Sequence, residues 1–463
     1  MSGELFIPKK RLYPQNVKGK IRNIKWLLTA FFLSIYILTP FLRFDRGAGT
    51  SNQAILIDLP GQKAYFFFIE IWPQEVFYLA GILIIAAIML FFVTSLFGRV
   101  WCGYACFQTV WTDIFIALEK LFQGDRNQRI LLDRKTNFKK YWTKFLTHTS
   151  WIIVSLLTGF CFTAYFTDAF ELVKNLFSGN ISFSVFWWAV SIAFMTYIMG
   201  GFAREHVCTF MCPYSRFQSA MFDDNTLIIA YDEKRGEPRQ KAKAGTDFSD
   251  RGHCIDCKQC VVVCPTGIDI RDGLQMECIA CGLCIDACDN VMKKMDLPKG
   301  LIRYDTLNHM KNPSPKTKFK TFRLRTYFYL AILALVCFFM VQSLLTKTTV
   351  ETTILHDRNP IFVMLSDGSI RNGYLIKIMN KTHEAKKFAL EIKSPNELKF
   401  NPKSYDLNNL IVPPGEVKDF KIFAILDEES AEKNNEGRFL AKFIVRDLKD
   451  NTEYELESMF MSK

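Results

Sequence analysis

Cys254-Ile-Asp-Cys257-Lys-Gln-Cys260-Val-Val-Val-Cys264-Pro265, followed by Cys278-Ile-Ala-Cys281-Gly-Leu-Cys284-Ile-Asp-Ala-Cys288, crowds eight cysteines into residues 254–288. Each half has the spacing C-x2-C-x2-C-x3-C. In bacterial ferredoxins three such closely spaced thiolates grip one [4Fe-4S] cluster and the fourth reaches across to the other. The rule predicts Cys254, Cys257, Cys260 and Cys288 around one cluster, and Cys264, Cys278, Cys281 and Cys284 around the second. Structural zinc is the plain alternative. Zinc sites, however, pair two C-x2-C knuckles across a longer gap and do not run four cysteines together twice.

Outward from this stretch, the chain is 463 residues long, 49% hydrophobic and 14% aromatic, with 43 Phe. That richness points to lipid-facing helices and to more than one domain. There are 14 cysteines in all, but eight are claimed by the double motif and the region from Lys347 onward has none, so a disulfide scaffold is excluded. The formal net charge of +12 sits beside apolar runs, where positive charge sets membrane orientation. Nucleic-acid binding is set aside on that ground.

Five apolar runs are candidate membrane helices, at about 24–42, 76–97, 148–168, 183–202 and 326–346; each approaches the ~20 residues needed to span a bilayer. The first follows a basic tail, residues 1–25, with seven Lys or Arg against one acid, Glu4. No small-residue cleavage site follows it, so it reads as an uncleaved first helix. Nine Lys or Arg fall in residues 98–148, while 43–75 and 167–182 are poor in them. The positive-inside rule then predicts a multi-pass protein of the bacterial inner membrane, with the N-terminus, residues 98–148 and residues 203–325 cytoplasmic.

The expected organisation is a membrane domain over 1–222, a polar linker and double ferredoxin module of α+β type over 223–310, a fifth membrane helix over 326–346, and a periplasmic domain over 347–463. That last part alternates apolar stretches (Leu375–Met379, Phe388–Ile392, Phe439–Ile444) with turn formers at Asp367-Gly368, Pro413-Pro414-Gly415 and Asn434-Asn435, the pattern of an immunoglobulin-like β-sandwich. Its His356, His383, Met364, Met379, Met459 and Met461 show no ligand spacing, so it reads as a docking module.

A second set of thiols falls in matched motifs, Trp101-Cys102-Gly-Tyr-Ala-Cys106-Phe-Gln108 and Cys208-Thr-Phe-Met-Cys212-Pro213-Tyr, each at the cytoplasmic end of a membrane run. The motifs differ after the second cysteine, Phe107 against Pro213. Sulfurs four residues apart share a face if a helix continues through them. A weak internal repeat, Gln108–Asp113 against Gln218–Asp223, would bring Cys102, Cys106, Cys208 and Cys212 together at the membrane surface. Facing a reducing compartment, such a quartet suits a soft metal such as copper, a redox dithiol or another cofactor; small buried residues in a packed interior are the bland reading. His206 and His148 are predicted at the same face. Cys161 and Cys337 stand alone in apolar runs and read as packing. No Gly-rich dinucleotide fingerprint occurs in a strand–helix context, so electrons arrive from another protein or from a quinol.

The two C-x3-C motifs, the double ferredoxin motif with Cys264-Pro-Thr-Gly-Ile-Asp-Ile270, the five membrane runs and Leu365-Ser-Asp-Gly-Ser-Ile-Arg371 together resemble the cytochrome c oxidase accessory proteins of the FixG/CcoG/RdxA type, over nearly the whole chain. The resemblance implies two [4Fe-4S] clusters and a role in assembling a cbb3-type oxidase alongside its copper assembly factors, with Cu(II) reduced to Cu(I) by a cupric reductase whose electron donor is unnamed. On that reading copper sits near Cys102, Cys106, Cys208 and Cys212. Two rivals stand beside it: a quinol-linked electron-transfer subunit feeding a periplasmic reductase, and a non-catalytic assembly scaffold.

Overall fold

The computed structural model describes residues 12–47, 50–243, 245–314, 319–394, 398–400, 406–433 and 437–462. The expected turn at Asn434-Asn435 and the basic residues Lys9, Lys10 and Arg11 lie outside them. The chain divides into two compact units, one of residues 1–44 and 53–341, the other of 45–52 and 342–463.

Among the described residues, five helices are long and apolar enough to cross a membrane. Four belong to α1 (Lys20–Leu38), α2 (Phe77–Phe97), α6 (Phe138–Thr163) and α8 (Phe183–Ile198); the fifth is Leu324–Leu345. Exposed Phe186, Trp187 and Trp188 on α8 and Phe338 and Phe339 on the fifth are what lipid-facing surfaces require. Helix α6 starts ten residues before its apolar window. Its first turns, Phe138-Lys-Lys-Tyr, alternate character, and Lys144 within it pairs with Asp133 at 2.8 Å. Between α2 and α6 run α3 (Val100–Tyr104), α4 (Phe107–Gln123) and α5 (Arg126–Arg134), and α7 (Ala169–Ser178) precedes α8. Between α1 and α2 residues 55–71 fold as a small antiparallel meander, β1 (Ile55–Asp58), β2 (Lys63–Phe66) and β3 (Ile69–Ile71).

The ferredoxin module belongs to the first unit. A two-stranded sheet, β4 (Ile228–Tyr231) against β5 (Ile302–Asp305), closes one side, and helix Leu283–Lys294 crosses it. Residues 223–250 are therefore no linker. Besides supplying β4, they hold the start of the cysteine stretch: His253 N–H donates to Arg235 O at 2.9 Å and Gly252 N–H to Pro238 O at 3.1 Å. The second strand of the sheet, β5, follows the bend at residues 298–301 directly.

The module is tied to the membrane helices through Asp286, whose carboxylate accepts from the backbone amides of Ile21 (3.3 Å) and Arg22 (2.8 Å) in the first turn of α1. An acidic group at a helix N-terminus satisfies orphan amides and the helix dipole together.

The second unit is a β-sandwich. One sheet runs β10 (Leu398–Phe400), β12 (Val417–Leu426), β8 (Ile370–Asn380), β6 (Val350–His356), with β7 (Val363–Met364) also on β8; the other runs β11 (Leu410–Val412), β9 (Lys386–Lys393), β13 (Arg438–Asp447), β14 (Glu453–Met461). Tyr374, Ile376, Phe388, Phe443 and Phe460 are fully buried between them, the inward half of the period-two pattern. Asp367-Gly368 and Pro413-Pro414-Gly415 turn as expected, with positive φ at Gly368 and Gly415. His356, one of the metal-capable residues, has its Nε2 2.7 Å from Asn372 Oδ1.

Candidate functional site

The eight ferredoxin cysteines divide between two cavities. Cys254, Cys257, Cys260 and Cys288 line one; Cys264, Cys278, Cys281 and Cys284 line the other, which Cys260 also borders. Thus Cys264 faces the cavity of the later cysteines and Cys288 that of the earlier ones. A zinc site draws four ligands onto one ion at about 2.3 Å. Sulfur quartets around a void fit the four-thiolate shell of a cubane cluster.

The two cavities differ in setting. At the first, Cys257 is exposed, and the buried guanidinium of Arg271 bridges Asp256 and Asp269, each at 2.6 Å. The second is the more enclosed and lies toward the membrane helices: Cys281 packs in an apolar cluster with Val17, Val263, Ile279 and Leu283, and Cys102 and Cys208 pack against it. Cys102 and Cys208, the first thiols of the two C-x3-C motifs, therefore adjoin the second quartet.

Each C-x3-C motif is interrupted, contrary to the single helical face expected from spacing. Cys102 lies in the short α3, whereas Cys106 has extended φ/ψ (−62°, 127°) and caps α4. Cys208 lies in a π-helical turn, Val207–Met211, whereas Cys212 (−79°, 112°) caps helix Pro213–Met221. Both second cysteines hold the same N-cap position, with Phe107 or Pro213 next. Proline favours that first helical position without being required there, so the difference between the motifs leaves the geometry alike.

The four thiols are electrostatic neighbours. Burial pushes the Cys102 thiol up to about 12, reinforced by Cys106 and Cys208 and opposed by Arg99 and the hydrogen bond to Gln218. Burial also raises Cys106, against the backbone amides of Gln108 and Thr109, and Cys212 adds to the rise. The Cys102 sulfur donates to Gln218 Oε1 at 3.3 Å. Half-buried cysteines such as these offer soft ligands, although among the described residues no three of them already close around a single ion.

Arg99 and Gly103 were not singled out by sequence reasoning, yet both hold this site to the second quartet. Arg99 donates to the carbonyls of Met276 and Cys278, and to Ser215 O at 2.6 Å. A Cβ on Gly103 would stand 2.8 Å from Ile279 O and 3.0 Å from Cys281 Cα. Only a glycine admits so close an approach of two backbones. The sequence signal was a Gly inside a C-x3-C motif. Tyr104 and Tyr304 extend the contact, hydroxyl to hydroxyl at 3.0 Å, with Tyr304 donating to Ala280 O at 2.7 Å.

The two histidines do not join the thiols. His148 has its Nδ1 2.9 Å from the Tyr197 hydroxyl and lies among Trp151 and Phe202; His206 stacks on Phe210.

Comparison with known proteins follows these boundaries. The 4Fe-4S dicluster domain family matches residues 203–307, a 4Fe-4S binding domain family matches 79–125, and the Ig-like fold at the C-terminus of FixG matches 340–463. The nitrogen fixation protein FixG of Rhizobium meliloti is 42% identical over 84% of this chain and 80% of its own. Protein RdxB of Cereibacter sphaeroides is 42% identical over 92% and 90%, and protein RdxA of the same organism 43% over 85% and 84%. With likeness of that depth across the helices, the cysteine stretch and the sandwich alike, the chain belongs to the FixG/RdxA family and is an iron–sulfur electron-transfer protein.

Proposed function

We propose that this protein is a cupric reductase of the bacterial inner membrane that supplies Cu(I) during assembly of a cbb3-type cytochrome c oxidase. The observation that carries the proposal is the packing of Cys102 and Cys208 against the apolar cluster that contains Cys281, which sets a soft-metal thiol site beside the enclosed cluster quartet. Cys254, Cys257, Cys260 and Cys288 hold one [4Fe-4S] cluster; Cys264, Cys278, Cys281 and Cys284 hold the other. When bound, these clusters supply electrons one at a time, the stoichiometry that Cu(II) to Cu(I) demands.

The chain's own residues do the rest. Cys102, Cys106, Cys208 and Cys212 take up the copper substrate, their protons displaced as it binds, and thiolate softness favours the Cu(I) product. Arg99 keeps a positive charge beside the thiols and fixes their distance from the Cys278 loop. The basic flanks of the membrane runs favour cytoplasmic cluster and thiol sites with the sandwich in the periplasm, where it docks assembly partners.

The test is anaerobic Cu(II) reduction by the prereduced protein. The Cys208→Ser/Cys212→Ser variant is expected to keep its iron and lose the reaction; an undiminished rate would remove copper from this site. In the Gly103→Ala variant, the added methyl pushes the thiol motif off the Ile279–Cys281 backbone. Iron content is expected to hold while the transfer rate falls roughly tenfold or more, since small displacements at a reacting centre are costly; stopped-flow reoxidation of the clusters by Cu(II) measures it.

A further inference from the structure

The first unit contains a cavity of about 580 Å3 that the copper site does not use. It opens between the start of α1, the inner face of α4 and the ferredoxin module. Its walls are of two kinds. Trp26, Ile116, Ala117 and Leu121 are apolar, and Trp26 and Leu121 are also exposed on the outside of the helices. Arg22, Asn23 and Gln15 bring hydrogen-bond donors, with Lys18 and Lys120 at exposed positions.

Arg22 is the telling residue. Its side chain is 10% exposed, its Nη1 is committed to Asp113 at 3.2 Å, and its Nε has no hydrogen-bond partner among the described residues. The guanidinium lies over the Trp26 ring at 4.5 Å. A buried donor without an acceptor is costly, and here it stands beside an aromatic wall in a ligand-sized space. The third wall is Val263, Pro265 and Leu283, the immediate chain neighbours of Cys264 and Cys284.

We infer that this cavity receives the headgroup of a membrane quinol, the electron donor to the clusters; the inference rests on the reading that the two cysteine quartets hold [4Fe-4S] clusters. A flat ring with acceptor oxygens matches the Arg22 and Asn23 donors and the Trp26 wall. Its hydrocarbon tail leaves past Trp26 and Leu121, in the first turns of a membrane-spanning helix. A phospholipid headgroup would meet the cations but gives no reason for the cavity to abut two cluster cysteines. The stoichiometry closes. The quinol is oxidised to quinone, its two hydroxyl protons leave to water at the mouth by Lys18 and Lys120, and its two electrons reduce the two clusters by one each, ready for two successive Cu(II) ions.

The test uses the full-length protein in nanodiscs without copper. A reduced menaquinone analogue is expected to bleach both clusters, and an unreactive quinone analogue to bind and alter the electron paramagnetic resonance of the cluster nearer the cavity. Ala117→Phe, which fills the space, and Trp26→Ala, which removes the aromatic wall, are each expected to weaken analogue binding about tenfold or more, equivalent to ~1.4 kcal/mol. Dithionite is expected to reduce the clusters of both variants as in the parent. Equal quinol reduction in parent and Ala117→Phe overturns the inference, as does a site occupied by phosphatidylglycerol that the quinone analogue fails to displace. Dithionite-reduced protein still reports on Cu(II) reduction, so failure here and failure of the copper proposal are told apart.

Discussion

Replacing Cys260 and Cys264 together by alanine is expected to remove both iron–sulfur clusters, whereas replacing Cys264 and Cys281 together removes one. The two residues of the first pair are close in sequence and belong, by spacing, to one motif. Yet Cys264 lines only the cavity of Cys278, Cys281 and Cys284, while Cys260 borders both and is the one of the pair that lines the cavity of Cys254, Cys257 and Cys288. With crossed ligation, iron falls from about eight per chain to near none in the first double variant and to about four in the second. Uncrossed ligation predicts the reverse. Iron and sulfide counts on anaerobically purified protein decide between them, and each variant is the folding control of the other. The consequence for transfer is as large. Cys264→Ala alone is expected to stop Cu(II) reduction, because the cluster it removes is the one against Cys102 and Cys208. Cys288→Ala removes the outer cluster, beside exposed Cys257, and is expected to leave single-electron transfer from the inner one.

Much of this was legible in the sequence because it is local. Cluster ligation is a matter of spacing over a few residues, and an apolar run of twenty or an alternation over six announces the element that buries it. The thiol quartet was legible as a pair of motifs, but its geometry was not. Four-residue spacing promised one helical face, and the helix breaks within each motif so that Cys106 and Cys212 cap new helices. Residues 223–250 misled for a related reason. Their charge is that of a solvated linker, while β4 and the backbone bonds from Gly252 and His253 that hold them are long-range pairings without a composition signal. Gly103 meets Ile279 and Cys281 and Arg99 meets Met276 and Cys278, more than 170 positions away in sequence, and no local pattern encodes such a meeting. Arg22 and Lys25 were counted as positive-inside charge at a membrane edge; the fold buries both.

That burial sets up the last expectation. Lys25 is 2% exposed and its Nζ lies 2.8 Å from Asp113 Oδ2, the carboxylate that Arg22 also engages. Asp113→Ala leaves two cations in the interior between α1 and α4 with no counter-charge, and breaking a buried ionic group in this way costs about 3–5 kcal/mol. The variant is expected to melt well below the parent in detergent. Asp113→Ala/Lys25→Met, which removes one of the stranded charges, is expected to recover part of the loss; a single variant as stable as the parent would sink the account. The sign of the pH dependence follows. Burial alone would raise the Asp113 carboxyl, but Lys25 and Arg22 outweigh it and hold the group below its ordinary value. A depressed folded-state pKa gives stability that is complete above the unfolded value of about 3.9 and is lost as pH falls through the folded one. The gap between parent and Asp113→Ala is therefore expected to be full at neutral pH and to narrow in acid. The same substitution reaches the redox centre. Lys25 and Asp113 both act electrostatically on Cys281, so deleting the anion leaves excess positive charge beside the inner cluster. Positive charge stabilises the reduced state, and redox titration of the variant is expected to show a raised potential for that cluster and an unmoved one for the outer. A structural lesion alone would not separate the two.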